Sequence, residues 1–62
     1  MSRKDYELIA RAIAVQMKLF AAEPDSQEAI RSTAERIATA LGMDNPRFDR
    51  ARFLSACGVT NV

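Results

Sequence analysis

The sequence predicts an all-α protein in which an antiparallel helical hairpin is closed by a short third helix. Apolar residues recur at intervals of three and four along most of the 62 residues, and no alternating stretch is long enough for a β-sheet. Glycine and proline, which interrupt helices, occur only between or at the ends of these periodic segments. We therefore expect one small helical domain over residues 1–62.

The first helix is expected at about residues 3–22. Ser2 can cap its free amide groups, and Asp5 follows three residues later, a spacing typical of a capping box. Pro24 should stop the helix, because proline disfavours helical backbone in the residue before it.

The second helix is expected at about residues 26–41, with Asp25 as its N-cap and Gly42 as a left-handed C-cap. Because the link between the first two helices is short, they should form an antiparallel hairpin. Ala34 and Ala38 have side chains small enough to let the two helices approach closely.

The third helix is expected at about residues 50–57. Asp49 fits the N-cap, and Phe48 before it and Phe53 at the fourth helical position are spaced as a hydrophobic staple. Leu54 and Cys57 continue the side expected to be buried, and Gly58 should end the helix.

The first helix carries apolar residues on two nearly opposite faces at about 100° per residue. One face holds Tyr6, Ile9, Ile13, Met17 and Phe20. The other face, called the outer stripe below, holds Leu8, Ala12, Val15 and Leu19. The second helix has one apolar face, formed by Ile30, Thr33, Ala34, Ile37 and Leu41, so it can cover only one of these two.

The outer stripe must therefore be covered by the third helix, by a second copy of the chain or by a foreign protein. All three alternatives are open at this point. A homodimer has the advantage that it would supply buried area to a domain near the lower size limit for a single core. Twofold dimers are also the commonest oligomers, so we predict a homodimer with the outer stripe as its protein interface.

The composition excludes several kinds of chemistry. One cysteine and no histidine leave no disulfide framework within the chain, no plausible zinc site and no Ser-His-Asp triad. Cys57 has no histidine to act as its base, and Gly42 and Gly58 form no phosphate-binding loop. We therefore predict that the protein is not an enzyme and has no catalytic, metal-binding or cofactor-binding residues.

Nucleic-acid binding through Arg47, Arg50 and Arg52 is the alternative function. These arginines flank the start of a short helix, where they could reach phosphates. Asp44 and Asp49 lie in the same segment, and nine basic residues against eight acidic ones leave little net charge, so we expect nucleic acid to be the less favoured partner. No apolar run approaches the roughly 20 residues that span a bilayer, so we expect no membrane partner.

Two stretches, "DYELIARAI" at residues 5–13 and "NPRFDRARFLSAC" at residues 45–57, carry a family resemblance. They resemble small uncharacterised proteins of tailed phages and prophages, which share a "DYxxIAxAI" start and an "NPRFDxxRFLxAC" ending. The resemblance implies a location in the cytoplasm of a bacterial host cell. It also implies an accessory role in which a small helical protein binds a host or phage protein, and it transfers no catalytic residue.

Overall fold

The computed structural model describes residues 1–59 and contains three α-helices in that range. They are α1 (Arg3–Leu19), α2 (Pro24–Asp44) and α3 (Arg50–Ala56), and no β-strand occurs among the described residues. The prediction of an all-α protein with three helices is confirmed.

The start of α1 follows the predicted capping pattern. The Ser2 backbone N–H donates a hydrogen bond to Asp5 Oδ2 at 2.9 Å, and the Ser2 hydroxyl donates to the same oxygen at 3.2 Å. These bonds stabilise the ionised carboxylate and hold the pKa of Asp5 below its usual value. The helix ends at Leu19, three residues before the predicted end at residue 22, and residues 20–22 form a turn.

The predicted start of the second helix at residue 26, with Asp25 as N-cap, is wrong. Glu23 is the N-cap and Pro24 occupies the first helical position. Proline is well suited to that position, because its missing N–H would have no partner within the helix and its φ is already fixed near the helical value. Pro24 therefore begins α2, whereas the sequence analysis treated it only as the end of the first helix.

The predicted end of the second helix at residue 41, with Gly42 as left-handed C-cap, is also wrong. Residues 42–44 remain helical, and Asn45 is the C-cap, with its N–H bonded to the Leu41 carbonyl oxygen at 2.9 Å. A Cβ atom added to Gly42 would lie 3.8 Å from Cδ2 of Phe48. Gly42 thus lies within α2, beside the Phe48 ring, and does not end the helix.

The third helix agrees closely with its prediction. The Asp49 carboxylate accepts a hydrogen bond from the Arg52 backbone N–H at 3.0 Å, and the rings of Phe48 and Phe53 lie 5.5 Å apart. The helix ends at Ala56, one residue before the predicted end at residue 57.

Gly58 ends α3 in a Schellman motif. Its φ is 80°, a left-handed conformation that glycine adopts without steric cost. The Gly58 N–H donates to the Ser55 carbonyl at 3.0 Å, and the Val59 N–H donates to the Leu54 carbonyl at 2.9 Å. Val59 is itself buried, so the motif returns the chain to the core.

The core contains residues from all three helices, and each helix contacts the other two. The buried side chains are Ala10, Met17, Ala34, Ala38, Phe53, Leu54, Cys57 and Val59. Thr33, grouped with the apolar face of the second helix in the sequence, is exposed, whereas Ala38 is fully buried.

Two hydrogen bonds join the ends of α1 and α2. The Gln27 side-chain amide donates to the Met17 carbonyl oxygen at 3.0 Å, and the Asn45 side-chain amide donates to the Tyr6 hydroxyl oxygen at 3.3 Å. Within residues 1–59, none of the three helices has the length and apolar character needed to cross a bilayer.

Candidate functional site

The outer stripe is exposed. Leu8, Val15 and Leu19 have 54%, 52% and 69% of their surface accessible, and Ala12 is also exposed. The hypothesis that the third helix covers this stripe is therefore wrong for the described chain. Tyr6, Ile9, Ile13, Met17 and Phe20, on the other apolar face, lie among the buried and half-buried side chains, as the sequence analysis expected.

The spacing of the outer stripe is that of a coiled-coil seam. The intervals between Leu8, Ala12, Val15 and Leu19 are four, three and four residues, which is the alternation of a and d positions in a heptad repeat. Ala10 and Met17, the buried residues of α1, fall at the f position, on the side of the helix opposite this seam. One face of α1 is thus fixed to the core while the opposite face is free to contact a second helix.

A shallow groove between α1 and α2 adjoins the outer stripe. It has a volume of about 400 Å³ and is lined by Ala12, Ile13, Gln16, Ala29, Ile30 and Thr33. Because Ala12 belongs both to the stripe and to the groove wall, the apolar surface continues from the helix face into the groove. Ala12 and Ile30 both line this groove.

Of the three arginines proposed to contact nucleic acid, only two line a common groove in the structure. All three are exposed, but only Arg47 and Arg52 line a larger groove, and Arg50 is not among its lining residues. The other basic residues of this groove are Arg3 and Arg11, which α1 contributes. The groove has a volume of about 660 Å³ and lies between α1, the segment after α2, and α3.

Aromatic rings form the apolar wall of this larger groove, called the α1–α3 groove below. The Tyr6 ring meets the Phe48 ring edge to face at 4.9 Å, and the Phe48 ring lies 5.5 Å from that of Phe53. The Asn45 hydrogen bond to Tyr6 holds the segment after α2 against α1. Sequence spacing predicts the phenylalanine pair but not the groove, because the two walls of the groove come from distant parts of the chain.

The only cysteine shows no feature of a reactive nucleophile. Cys57 is fully buried, and desolvation raises the pKa of its thiol from 9.0 to about 11. Among residues 1–59, no group of three histidine, cysteine, aspartate or glutamate side chains is placed to hold a metal ion. The described residues therefore show neither an activated thiol nor a metal centre.

Cys57 should react with iodoacetamide at pH 8 at least about a hundredfold more slowly in the folded protein than in guanidinium chloride, because the thiolate is the reactive form and burial disfavours it. Mass spectrometry of the alkylated chain measures the alkylation rate in each solvent. Equal rates in the two solvents would contradict the burial of Cys57.

The raised pKa of Cys57 also predicts that its contribution to stability is fully present below pH 9 and is lost as the pH rises through about 11, since unfolding then allows the thiol to ionise.

Comparisons with protein-family models, with curated protein sequences and with solved structures return no match for this chain.

Proposed function

We propose that the protein acts through protein contacts instead of catalysis, and that it self-associates through the outer stripe. The observation that carries this proposal is the exposure of Leu8, Val15 and Leu19 at coiled-coil spacing on a helix whose opposite face is fixed to the core. The resemblance to small phage proteins favours an accessory role in a bacterial host cell, where the same surface could bind a host or phage protein.

The size of the stripe predicts a weak dimer. Full burial of a leucine or valine side chain contributes about 1.5 to 3 kcal/mol, and these side chains are half to two-thirds exposed. Three such residues in each of two chains give roughly 5 to 9 kcal/mol, if each contributes about half the full value. Association costs about 4 to 15 kcal/mol in lost freedom, so at most about 5 kcal/mol remains, and the Kd should be roughly 0.2 mM or weaker.

Charges beside the stripe favour a parallel pairing of the two α1 helices. Lys4, Arg11 and Lys18 occupy the g positions, while the e positions hold Ile9 and Gln16. In an antiparallel pair Arg11 would lie beside Lys18 of the second copy, and these like charges would repel. A parallel pair places the g-position cations beside neutral e-position residues, so it avoids this repulsion.

Within each chain, we propose that α1 and α2 form the antiparallel hairpin expected from the sequence. Two contacts support it. Gln27, near the start of α2, binds the Met17 carbonyl near the end of α1, and Asn45, just after α2, binds Tyr6 near the start of α1.

Val15→Glu should abolish self-association, because in a parallel pair it places two carboxylates directly opposite each other in an apolar seam. Ser32→Glu is the matched control, since Ser32 is exposed on α2 and lines neither groove. Light scattering after size-exclusion chromatography of concentrated samples should give a monomer mass for Val15→Glu. The parent and Ser32→Glu should both give a larger average mass. Identical masses for Val15→Glu and the parent would contradict an interface at the outer stripe.

A nucleic-acid-binding regulator is the second candidate, favoured by the presence of Arg47 and Arg52 on one groove. Two observations make it the less favoured candidate. Glu7 and Asp49 also line that groove and would repel phosphates, and α3 has only seven residues. A mobility-shift assay with random duplex DNA tests this candidate, because phosphate contacts make binding fall steeply with salt. A saturable, salt-sensitive shift would favour this candidate over the proposed role in protein binding.

A further inference from the structure

Positive charge is concentrated in the α1–α3 groove. Four of the nine basic residues line it, against two of the eight acidic ones, so its formal charge is 4 − 2 = +2. The rest of the chain has five basic and six acidic residues, a formal charge of −1. A nearly neutral protein thus presents one basic groove, which the overall composition conceals.

The two acidic residues of the groove are engaged by groups of the protein itself. Glu7 Oε1 lies 3.8 Å from Arg3 Nε, and this is the only ion pair among residues 1–59. The Asp49 carboxylate accepts a hydrogen bond from the Arg52 backbone N–H. Arg11, Arg47 and Arg52 are therefore without a carboxylate partner in the described part of the chain. Their guanidinium groups are available to bind an anionic ligand.

The groove also has room for an apolar side chain. Its accessible apolar lining includes Ala14 of α1, Ala56 of α3 and the half-buried rings of Tyr6 and Phe48. Its volume of about 660 Å³ is within the usual range of a ligand cleft. The lining thus combines apolar side chains with four arginines.

The aromatic residues are badly placed for stacking nucleic-acid bases. Phe53 is only 4% exposed, and the Tyr6 and Phe48 rings contact each other edge to face. Proteins that bind single strands instead present aromatic faces on which successive bases stack. The combination of an apolar lining and unpaired arginines is better matched by a polypeptide that carries both apolar and acidic side chains.

We infer that the α1–α3 groove binds an acidic amphipathic polypeptide segment. A large apolar side chain of the segment packs on the half-buried residues Tyr6, Ala14 and Phe48. Neighbouring carboxylates pair with Arg11, Arg47 and Arg52. On α1, the groove residues lie roughly 140° around the helix from the outer stripe at 100° per residue. Arg11 borders both surfaces, whereas Arg47 and Arg52 are not on α1, so this inference does not depend on the dimer.

The test uses three labelled 15-residue peptides and one oligonucleotide of the same length. The peptides share leucines at positions i, i+3, i+4 and i+7, and carry glutamate, glutamine or lysine at their polar positions. Fluorescence anisotropy measures the affinity of each ligand in about 150 mM salt. At this ionic strength charges more than roughly 8 Å apart are screened, so the affinity reflects mainly local ion pairing. The glutamate peptide should bind at least about tenfold more tightly than the lysine peptide, a difference of about 1.4 kcal/mol.

Matched variants locate the binding site. Arg52→Glu should weaken binding of the glutamate peptide about tenfold or more, whereas Arg50→Glu, two residues away but outside the groove, should have a smaller effect. Ala56→Trp should fill the groove and block binding, whereas Ala51→Trp, also exposed on the same helix but outside the groove, should not. Circular dichroism confirms that each variant is folded before binding is compared.

Three results would overturn the inference. The first is the absence of saturable binding by the glutamate peptide up to millimolar concentration. The second is equal affinity for the glutamate and lysine peptides, which would show that the arginines make no contribution. The third is tighter binding of the oligonucleotide, a single strand of 15 thymidines, than of the glutamate peptide, which would assign the groove to nucleic acid. The exposed outer stripe can also accept a leucine-bearing peptide, so the titrations are repeated on Val15→Glu, in which the stripe is disrupted and binding reports the groove.

Discussion

Phe53→Ala should lower the free energy of unfolding by about 3 to 5 kcal/mol, the usual cost of removing a buried phenylalanine side chain. Phe53 is 4% exposed, and its ring lies 5.5 Å from that of Phe48, which in turn contacts Tyr6 on α1. A single core in a chain of this size rarely supplies more than about 3 to 5 kcal/mol, so the variant should be largely unfolded at 25 °C. Circular dichroism at 222 nm during thermal denaturation measures the effect.

Arg50→Ala is the control for this variant, because Arg50 is exposed on the same helix. It should change stability by no more than about 0.5 kcal/mol. A melting curve for Phe53→Ala that matches that of the parent would show that the aromatic cluster does not hold α3 to α1, and the α1–α3 groove would then lose its wall.

Ala38→Leu should also be strongly destabilising, by about 1 to 3 kcal/mol or more, because extra methylene groups in a filled core displace their neighbours. Ala38 is fully buried, as is Ala34 one turn earlier, so both mark the close approach of α2 to the rest of the core. Urea denaturation followed by circular dichroism gives the change in free energy. Ala40→Leu, an exposed site on the same helix, should remain within about 0.5 kcal/mol of the parent. A larger loss for Ala40→Leu than for Ala38→Leu would contradict the assigned faces of α2.

The elements that the sequence predicted well are those determined by local chemistry. Asp49 caps α3, Phe48 and Phe53 form the staple, and Gly58 adopts the left-handed conformation that ends the helix. Each of these features depends on residues within about one helical turn of each other, so spacing alone identifies them.

The two ends of α2 were predicted wrongly for different reasons. Asp25 and Pro24 both favour the start of a helix, and Pro24 prevailed at the first helical position, with Glu23 as the cap. Gly42 is a typical helix terminator, but the helix continues for two further residues and the Phe48 ring packs beside the glycine. The packing of Phe48 is a tertiary contact, which propensity rules do not include.

The two candidate surfaces differ in how far the sequence predicts them. Periodicity along α1 places Leu8, Ala12, Val15 and Leu19 on one face, and the structure shows that face exposed. The α1–α3 groove depends on contacts such as that between Tyr6 and Asn45, which are 39 residues apart in the chain. No local pattern joins the arginines of α1 to those near α3, so the groove could be found only from the three-dimensional structure.

Sedimentation velocity of the unmodified protein over a wide concentration range tests the central proposal, self-association through the outer stripe, most directly. The weight-average sedimentation coefficient should rise from the monomer value at low micromolar concentration towards a dimer value near millimolar concentration, as expected for a weak reversible dimer. A constant monomer value at every concentration would contradict self-association and would assign the exposed outer stripe to a foreign protein.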